Sequence, residues 1–348
     1  MSPFLMYLLL FALGLGTTIT FASSHWFLAW VGLEINTIAI LPLMANLHHP
    51  RAIEASLKYF LTQATAASTL LFATIMNAWL TGQWDISYMT DPLSVILFTL
   101  ALALKIGLAP LHTWLPEVLQ GLDLTTGLIL STWQKLAPFV LFAQIAPHNV
   151  TLLVILGLMS MVVGGWGGLN QTQLRKILAY SSIAHLGWMV LILQFIPALS
   201  FLALLMYIMM TFSTFLVFKW VSAVNINALA ISWAKAPVVT ALMPLVLLSL
   251  GGLPPLSGFM PKWLILQELS KQEMAVVATL AALSALLSLY FYLRLSYAMS
   301  LTMFPNNLGG VLPWRFQPSQ ATLLFAISVV VSLALLPLMP SIITLFFC

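Results

Sequence analysis

Gly107-Leu108-Ala109-Pro110-Leu111, followed after four residues by Pro116, recurs as Gly252-Leu253-Pro254-Pro255-Leu256, followed at the same spacing by Pro261. A constant offset of 145 residues superimposes the two segments and sets Trp114 opposite Phe259. Each lies inside a long apolar stretch. Proline lacks an N–H, and its ring clashes with the carbonyl four residues back. The pattern therefore predicts two broken helices, with Pro110 freeing the carbonyl of Ile106 and Pro116 that of His112. In the second copy Pro255 frees Gly251 and Pro261 frees Ser257. Unpaired carbonyls at membrane depth survive only when packed in protein or facing water. Two ordinary proline kinks are the plainer alternative.

The apolar stretches repeat along the whole chain. Of 348 residues, 61% are hydrophobic and only 6% charged, with a mean hydropathy of +1.05. Such a composition belongs to a membrane protein, since about 20 helical residues at 1.5 Å each cross the hydrocarbon layer. Eleven spans are expected, at about 3–21, 25–45, 52–80, 92–121, 126–146, 150–169, 174–195, 199–222, 237–268, 273–301 and 321–346. The third, fourth, ninth and tenth are long for one crossing, which tilt and internal breaks explain. The first, Pro3–Phe21, has no basic segment before it and reads as a retained helix rather than a signal peptide. The connection Pro305–Gln320 sets the last span apart from a ten-helix core.

The two copies lie on the fourth and ninth spans, five apart, and so cross in opposite directions. The predicted fold is all-α: a polytopic membrane protein of about eleven transmembrane helices. It has an inverted five-plus-five repeat with two broken helices, plus a C-terminal helix. Inverted repeats with broken helices are the sequence pointer to a transporter-like site. With the N-terminus inside, Arg51, Lys58, Arg175, Lys176, Lys219, Lys235, Arg294 and Arg315 fall on the inner side. Lys271 falls outside with Asp85, Asp91, Glu268 and Glu273. That is the positive-inside distribution, and it places Cys348 outside.

Three lysines, Lys105, Lys135 and Lys262, and one carboxylate, Glu34, are left within spans. A charged group at mid-membrane costs about 2.5–3.5 kcal/mol on the lenient insertion scale, so such residues mark ion paths or pair with one another. Lys105 precedes the first break. It reads as a proton carrier whose affinity a nearby carboxylate such as Glu34 can switch, or as a structural ion pair holding two helices together. Lys135 is too deep to snorkel easily and reads as a carrier or as an amine satisfied by backbone carbonyls. Lys262 follows Pro261 towards the outer end of its span, where snorkelling competes with a role in transport. Its repeat counterpart, Glu117, reads as interfacial. His112 lies in the first break and His185 in mid-span. Each is a candidate proton-exchanging group near neutral pH or a satisfied structural histidine. His25, His48, His49 and His148 sit at span ends and carry no assignment.

Other chemistries find no support. A balance of +4 from few charges gives no basis for nucleic-acid binding. One cysteine, Cys348, excludes a disulfide framework and a thiolate-ligated iron–sulfur cluster within the chain. No Gly-rich loop follows a strand to hold NAD or a flavin, and no spacing suggests a metal site. The methionines and tryptophans read as packing and interfacial residues.

The Lys105–Pro116 and Gly252–Lys262 segments, with buried Glu34 and Lys135, resemble the antiporter-like membrane subunits of respiratory complex I, themselves similar to subunits of multisubunit cation/proton antiporters. The resemblance covers essentially the whole chain. It implies residues 1–22 as a first transmembrane helix at the start of the repeat core, 23–286 as a proton antiporter-like membrane domain and 289–348 as a subunit-specific C-terminal region. It implies proton translocation through Glu34, Lys105, Lys135 and Lys262 along a hydrated axis that includes His112 and His185. Gly107, Pro110, Pro116, Gly252, Pro254, Pro255 and Pro261 would form the helix breaks. It further implies no cofactor in this chain, with NADH, FMN, iron–sulfur clusters and ubiquinone in the assembled complex. The implied partners are other complex I membrane subunits, including a neighbouring antiporter-like subunit and small membrane subunits towards the quinone module, and lipid. The implied location is the mitochondrial inner membrane. The long lateral helix of the largest antiporter-like subunit is missing. A stand-alone cation/proton antiporter and a purely structural membrane subunit remain open alternatives.

Overall fold

The structure, a computed structural model, describes residues 2–46, 49–86, 88–145, 150–234, 237–301 and 322–347. His48, His148, Lys235, Arg315, Cys348 and the 305–320 connection lie outside the described residues. All named elements are helical. Two compact units emerge, residues 1–157 with 193–195, and residues 158–192 with 196–348.

The first unit holds α1 (Pro3–Ala22), α2 (Trp26–Met44), α3 (Pro50–Thr81), α4 (Pro92–Ile106), α5 (Trp114–Gly121), α6 (Leu124–Ile145) and the start of α7 (Val150–Gly168). Side chains set the helix starts. His25 and His49 accept backbone N–H groups at the starts of α2 and α3. Asp91 accepts from the backbone N–H and hydroxyl of Ser94 at 2.9 and 2.6 Å, which holds its carboxyl below the usual range. Gly16 and Gly32 let α1 and α2 approach until each glycine faces the other's carbonyl oxygen. Trp133 on α6 donates to the Leu13 carbonyl on α1, and α4 packs against both α3 and α6.

The second unit holds the rest of α7, then α8 (Leu174–Leu193), α9 (Pro197–Val221), α10 (Ile226–Ala230), α11 (Pro237–Gly251), α12 (Phe259–Lys271), α13 (Ala275–Ser300), α14 (Thr322–Ala334) and α15 (Met339–Phe347). Its most enclosed membrane-length helix is α8. Helix α11 packs on α9 and α13, and α14 packs on α9. Arg294 Nη1 donates to the Leu169 carbonyl at 2.7 Å. The Ser257 hydroxyl ties the second break to the Ser332 carbonyl of α14.

The repeat reappears in the helix boundaries. Pro92–Ile106 and Pro237–Gly251 keep the 145-residue offset at both ends, and so do the starts of α5 and α12. Helices α3 and α13 are continuous, so length alone was no sign of a break there. Among the described residues eight helices are long and apolar enough to cross a membrane. A ninth comes from α14 and α15, bent by 63°. The bend replaces the single last span that the sequence suggested. Pro337 lies in the short 3-10 turn Leu336–Leu338, where its missing N–H ends α14. A count of eleven also requires α4–α5 and α11–α12 to be one broken crossing each.

Candidate functional site

Both breaks begin with a glycine rather than a proline. Gly107 has φ +85° and Gly252 φ +81°, a left-handed geometry that closes a helix at little cost only in glycine. The amides of Gly107 and Leu108 both donate to the Ala103 carbonyl, at 2.9 Å each. Those of Gly252 and Leu253 both donate to the equivalent Leu248 carbonyl, at 3.1 and 3.4 Å. Pro110, Pro254 and Pro255 occupy the turns that follow, while Pro116 and Pro261 lie in the first turns of α5 and α12. A first-turn proline frees no carbonyl, because its N–H had no helical partner to lose. Accordingly His112 O accepts from Leu115 N at 3.0 Å and Ser257 O from Met260 N at 3.4 Å, which corrects the expectation that those carbonyls are freed.

The carbonyls that are released belong to the last turns of α4 and α11. In the first unit Trp114 Nε1 donates to Leu104 O at 3.0 Å and Gln63 Nε2 to Lys105 O at 3.4 Å. In the second unit Lys262 Nζ donates to Gly251 O at 2.8 Å and Leu250 O at 3.4 Å. An ammonium thus caps the negative end of the broken helix. Glu117, its repeat counterpart, lies instead in an exposed cluster. There Lys58 Nζ is 2.8 Å from both Glu54 Oε1 and Glu117 Oε2.

In the first unit α2, α4 and α6 bring Glu34, Lys105 and Lys135 into one region. Lys105 Nζ is 3.7 Å from Glu34 Oε1, with side chains 1% and 26% exposed. Thr37 Oγ1 donates to the Glu34 backbone carbonyl at 2.8 Å and lies 3.3 Å from its Oε2. Lys105 and Lys135 both line a cavity of about 20 Å³, together with Asn36, Thr37, Tyr59, Gln63 and Gln134. Leu115 and Trp114 from the break close another wall. The cavity has room for about one water among these polar partners. His112 sits in the turn of the break, its Nδ1 donating to the Pro110 carbonyl at 3.2 Å. In the second unit His185 Nε2 is 3.5 Å from the Tyr292 hydroxyl, and its ring centroid 5.6 Å from that of Tyr207.

The polar lining of the cavity escaped sequence reading, which followed charges. Asn36, Gln63 and Gln134 are amides within apolar helices, and that is the signal that points to them.

Residues 23–288 match the family described as NADH:quinone oxidoreductase/Mrp antiporter, transmembrane, and residues 289–343 the NADH dehydrogenase subunit 2 C-terminus. The chain is 70% identical to NADH-ubiquinone oxidoreductase chain 2 of Tetraodon nigroviridis over 99% of each chain. To that of Gadus morhua it is 65% identical over 98% of each. Among solved structures it resembles a chain of respiratory complex I from Thermus thermophilus, with TM-score 0.80 and 30% identity, covering 97% of this chain and 80% of that one.

Proposed function

Because the chain belongs to the membrane family shared by NADH:quinone oxidoreductases and Mrp antiporters, we propose that Glu34, Lys105, Lys135 and Lys262 carry its protons. The chain is a core membrane subunit of NADH:ubiquinone oxidoreductase and translocates protons in step with electron transfer from NADH to ubiquinone in other subunits. The observation that carries the proposal is the cavity lined by both Lys105 and Lys135, with Glu34 paired to Lys105 at its edge. A carboxylate favours the ammonium form of an adjacent buried amine, and burial favours the neutral form. Withdrawing Glu34 therefore releases a proton from Lys105 into the cavity, where water and Gln134 lead to Lys135. Restoring the pair draws a proton back. His112 and His185 serve as hydrated-axis groups, and Lys262 passes the proton outward by leaving its two carbonyls.

In this reading residues 1–22 form the first helix, 23–286 the antiporter-like domain and 289–348 the subunit-specific region. NADH, FMN, the iron–sulfur clusters and ubiquinone are held by partner subunits, among them a neighbouring antiporter-like subunit and small membrane subunits on the quinone side. The membrane is the mitochondrial inner membrane, with the N-terminus and the basic loops in the matrix and the C-terminus in the intermembrane space. The loop-charge distribution supports that orientation.

Native-gel separation of gently solubilised membranes, with an NADH dehydrogenase stain and mass spectrometry, tests the assignment. The chain is expected in a megadalton-scale NADH-oxidising band. Migration alone, or in a small inactive band, overturns it.

A further inference from the structure

In the second unit a polar cluster surrounds His185, and its other members have no part in the path described above. His185 and the serines Ser181 and Ser182 lie on α8, Tyr207 on α9 and Tyr292 on α13. Both tyrosines are buried, 1% and 0% exposed. Ser181 stands beside Tyr292 and Ser182 beside Tyr207, and the Tyr292 hydroxyl faces His185 Nε2 at 3.5 Å. Helices α7 and α11 bring no charged side chain to this unit's interior.

The Ser181 hydroxyl donates its proton to the Leu178 carbonyl at 2.7 Å, and the Tyr292 hydroxyl faces the imidazole. The ring of Tyr292 has a second neighbour. A Cβ placed on Gly251 would lie 3.7 Å from Tyr292 Cδ2, and Gly251 is the residue whose carbonyl Lys262 holds at 2.8 Å. Tyr292 thus has its ring beside the end of the broken helix and its hydroxyl beside His185.

We propose that Tyr292 is a positioning residue of the proton path, linking the α11 break to the His185 imidazole and fixing the orientation of that ring. The proposal rests on the proton-translocating reading above. A change at the break that shifts the Tyr292 ring withdraws its hydroxyl from Nε2, which couples the position of Lys262 to the orientation of His185.

The test is Tyr292→Phe in the assembled complex, which keeps the ring and removes the hydroxyl. Tyr290→Phe, an exposed position on the same helix (59%), is the control. Y292F is expected to assemble normally, to lose at least threefold in coupled NADH oxidation and to shift the pH profile of turnover. Lost packing alone would scale that profile without moving it. Unchanged turnover with an unchanged profile overturns the proposal. His185→Gln separates the two levels: H185Q impaired with Y292F normal overturns the role of Tyr292 alone, whereas H185Q normal removes His185 from the path and overturns both. Should Y292F fail to assemble, Tyr292→Met replaces it, a flexible apolar chain that fills the site without a hydroxyl. The same loss and profile shift are expected; no change in either overturns the proposal.

Discussion

Lys105 and Glu34 stand 3.7 Å apart, close enough for an ion pair and too far for a hydrogen bond. Neither Lys105 Nζ nor Glu34 Oε1 has a hydrogen-bond partner among the described residues. Such a pair holds by charge alone and parts without breaking a hydrogen bond between its members, which suits a switch better than a clamp.

From this geometry the single and double replacements separate. Removing one member of a fully buried pair costs about 3–5 kcal/mol, while replacing both with apolar groups is close to neutral. The cost is smaller here because Glu34 is 26% exposed. Lys105→Met is expected to assemble and to lose at least tenfold in pumping, Glu34→Gln to show an intermediate loss, and the double variant to match the stability of the parent without recovering pumping. Proton release and native-gel band intensity measure the two quantities. A double variant that pumps normally sinks the switch.

The glycines at the breaks give a graded series. A non-glycine residue in left-handed geometry costs about 1–2 kcal/mol. Gly82, with φ +72° and open space around it, shows that cost alone. A Cβ at Gly107 also meets Leu115 Cδ1 at 2.9 Å, and one at Gly252 meets Lys262 Cδ and Nζ at 2.9 Å. Alanine is therefore expected to be mildest at 82 and harsher at 107 and 252, read as loss of thermal stability of the assembled complex. Only Gly252→Ala should also disturb Lys262. Equal effects at all three positions would show that the side-chain contacts contribute nothing.

The repeat was legible because it is written in glycine and proline, whose backbone effects are local. The bearers of the breaks were misassigned in part, since a first-turn proline and an interior proline look alike until the helix start is known. Pro116 and Pro261 illustrate the point. The charged residues stood out against an apolar chain, yet their partners did not. That Lys262 caps Gly251 and Leu250, or that Gln63 reaches the Lys105 carbonyl, depends on packing between distant segments. Tyr292 was hidden for the same reason, one tyrosine among eight.

Lys262 has a structural duty that its variants should expose. Lys262→Met leaves two buried carbonyls without their donor, each costing about 1–3 kcal/mol when unsatisfied. Lys262→Arg keeps donors within reach. Assembly is expected to fall in the methionine variant and to persist in the arginine one, as judged by the amount of intact complex. If the methionine variant assembles as well as the parent, the cap adds no stability.

Lys135 offers the sharpest separation of carrier from fixed charge. Its side chain is 3% exposed and lines the cavity with Gln63, Gln134 and Tyr59. An arginine there preserves the positive charge and the long aliphatic stem, but a guanidinium does not give up its proton in proteins. If Lys135 only supplies an electric field to its neighbours, Lys135→Arg should pump nearly as well as the parent while Lys135→Met should not. If Lys135 takes and releases the proton, both variants should lose at least tenfold in pumping while assembly persists. The carrier role predicts the second result, measured as protons released per NADH oxidised in sealed membranes. Arginine tolerance would reassign Lys135 to electrostatics and leave Lys105 as the only carrier in the first unit.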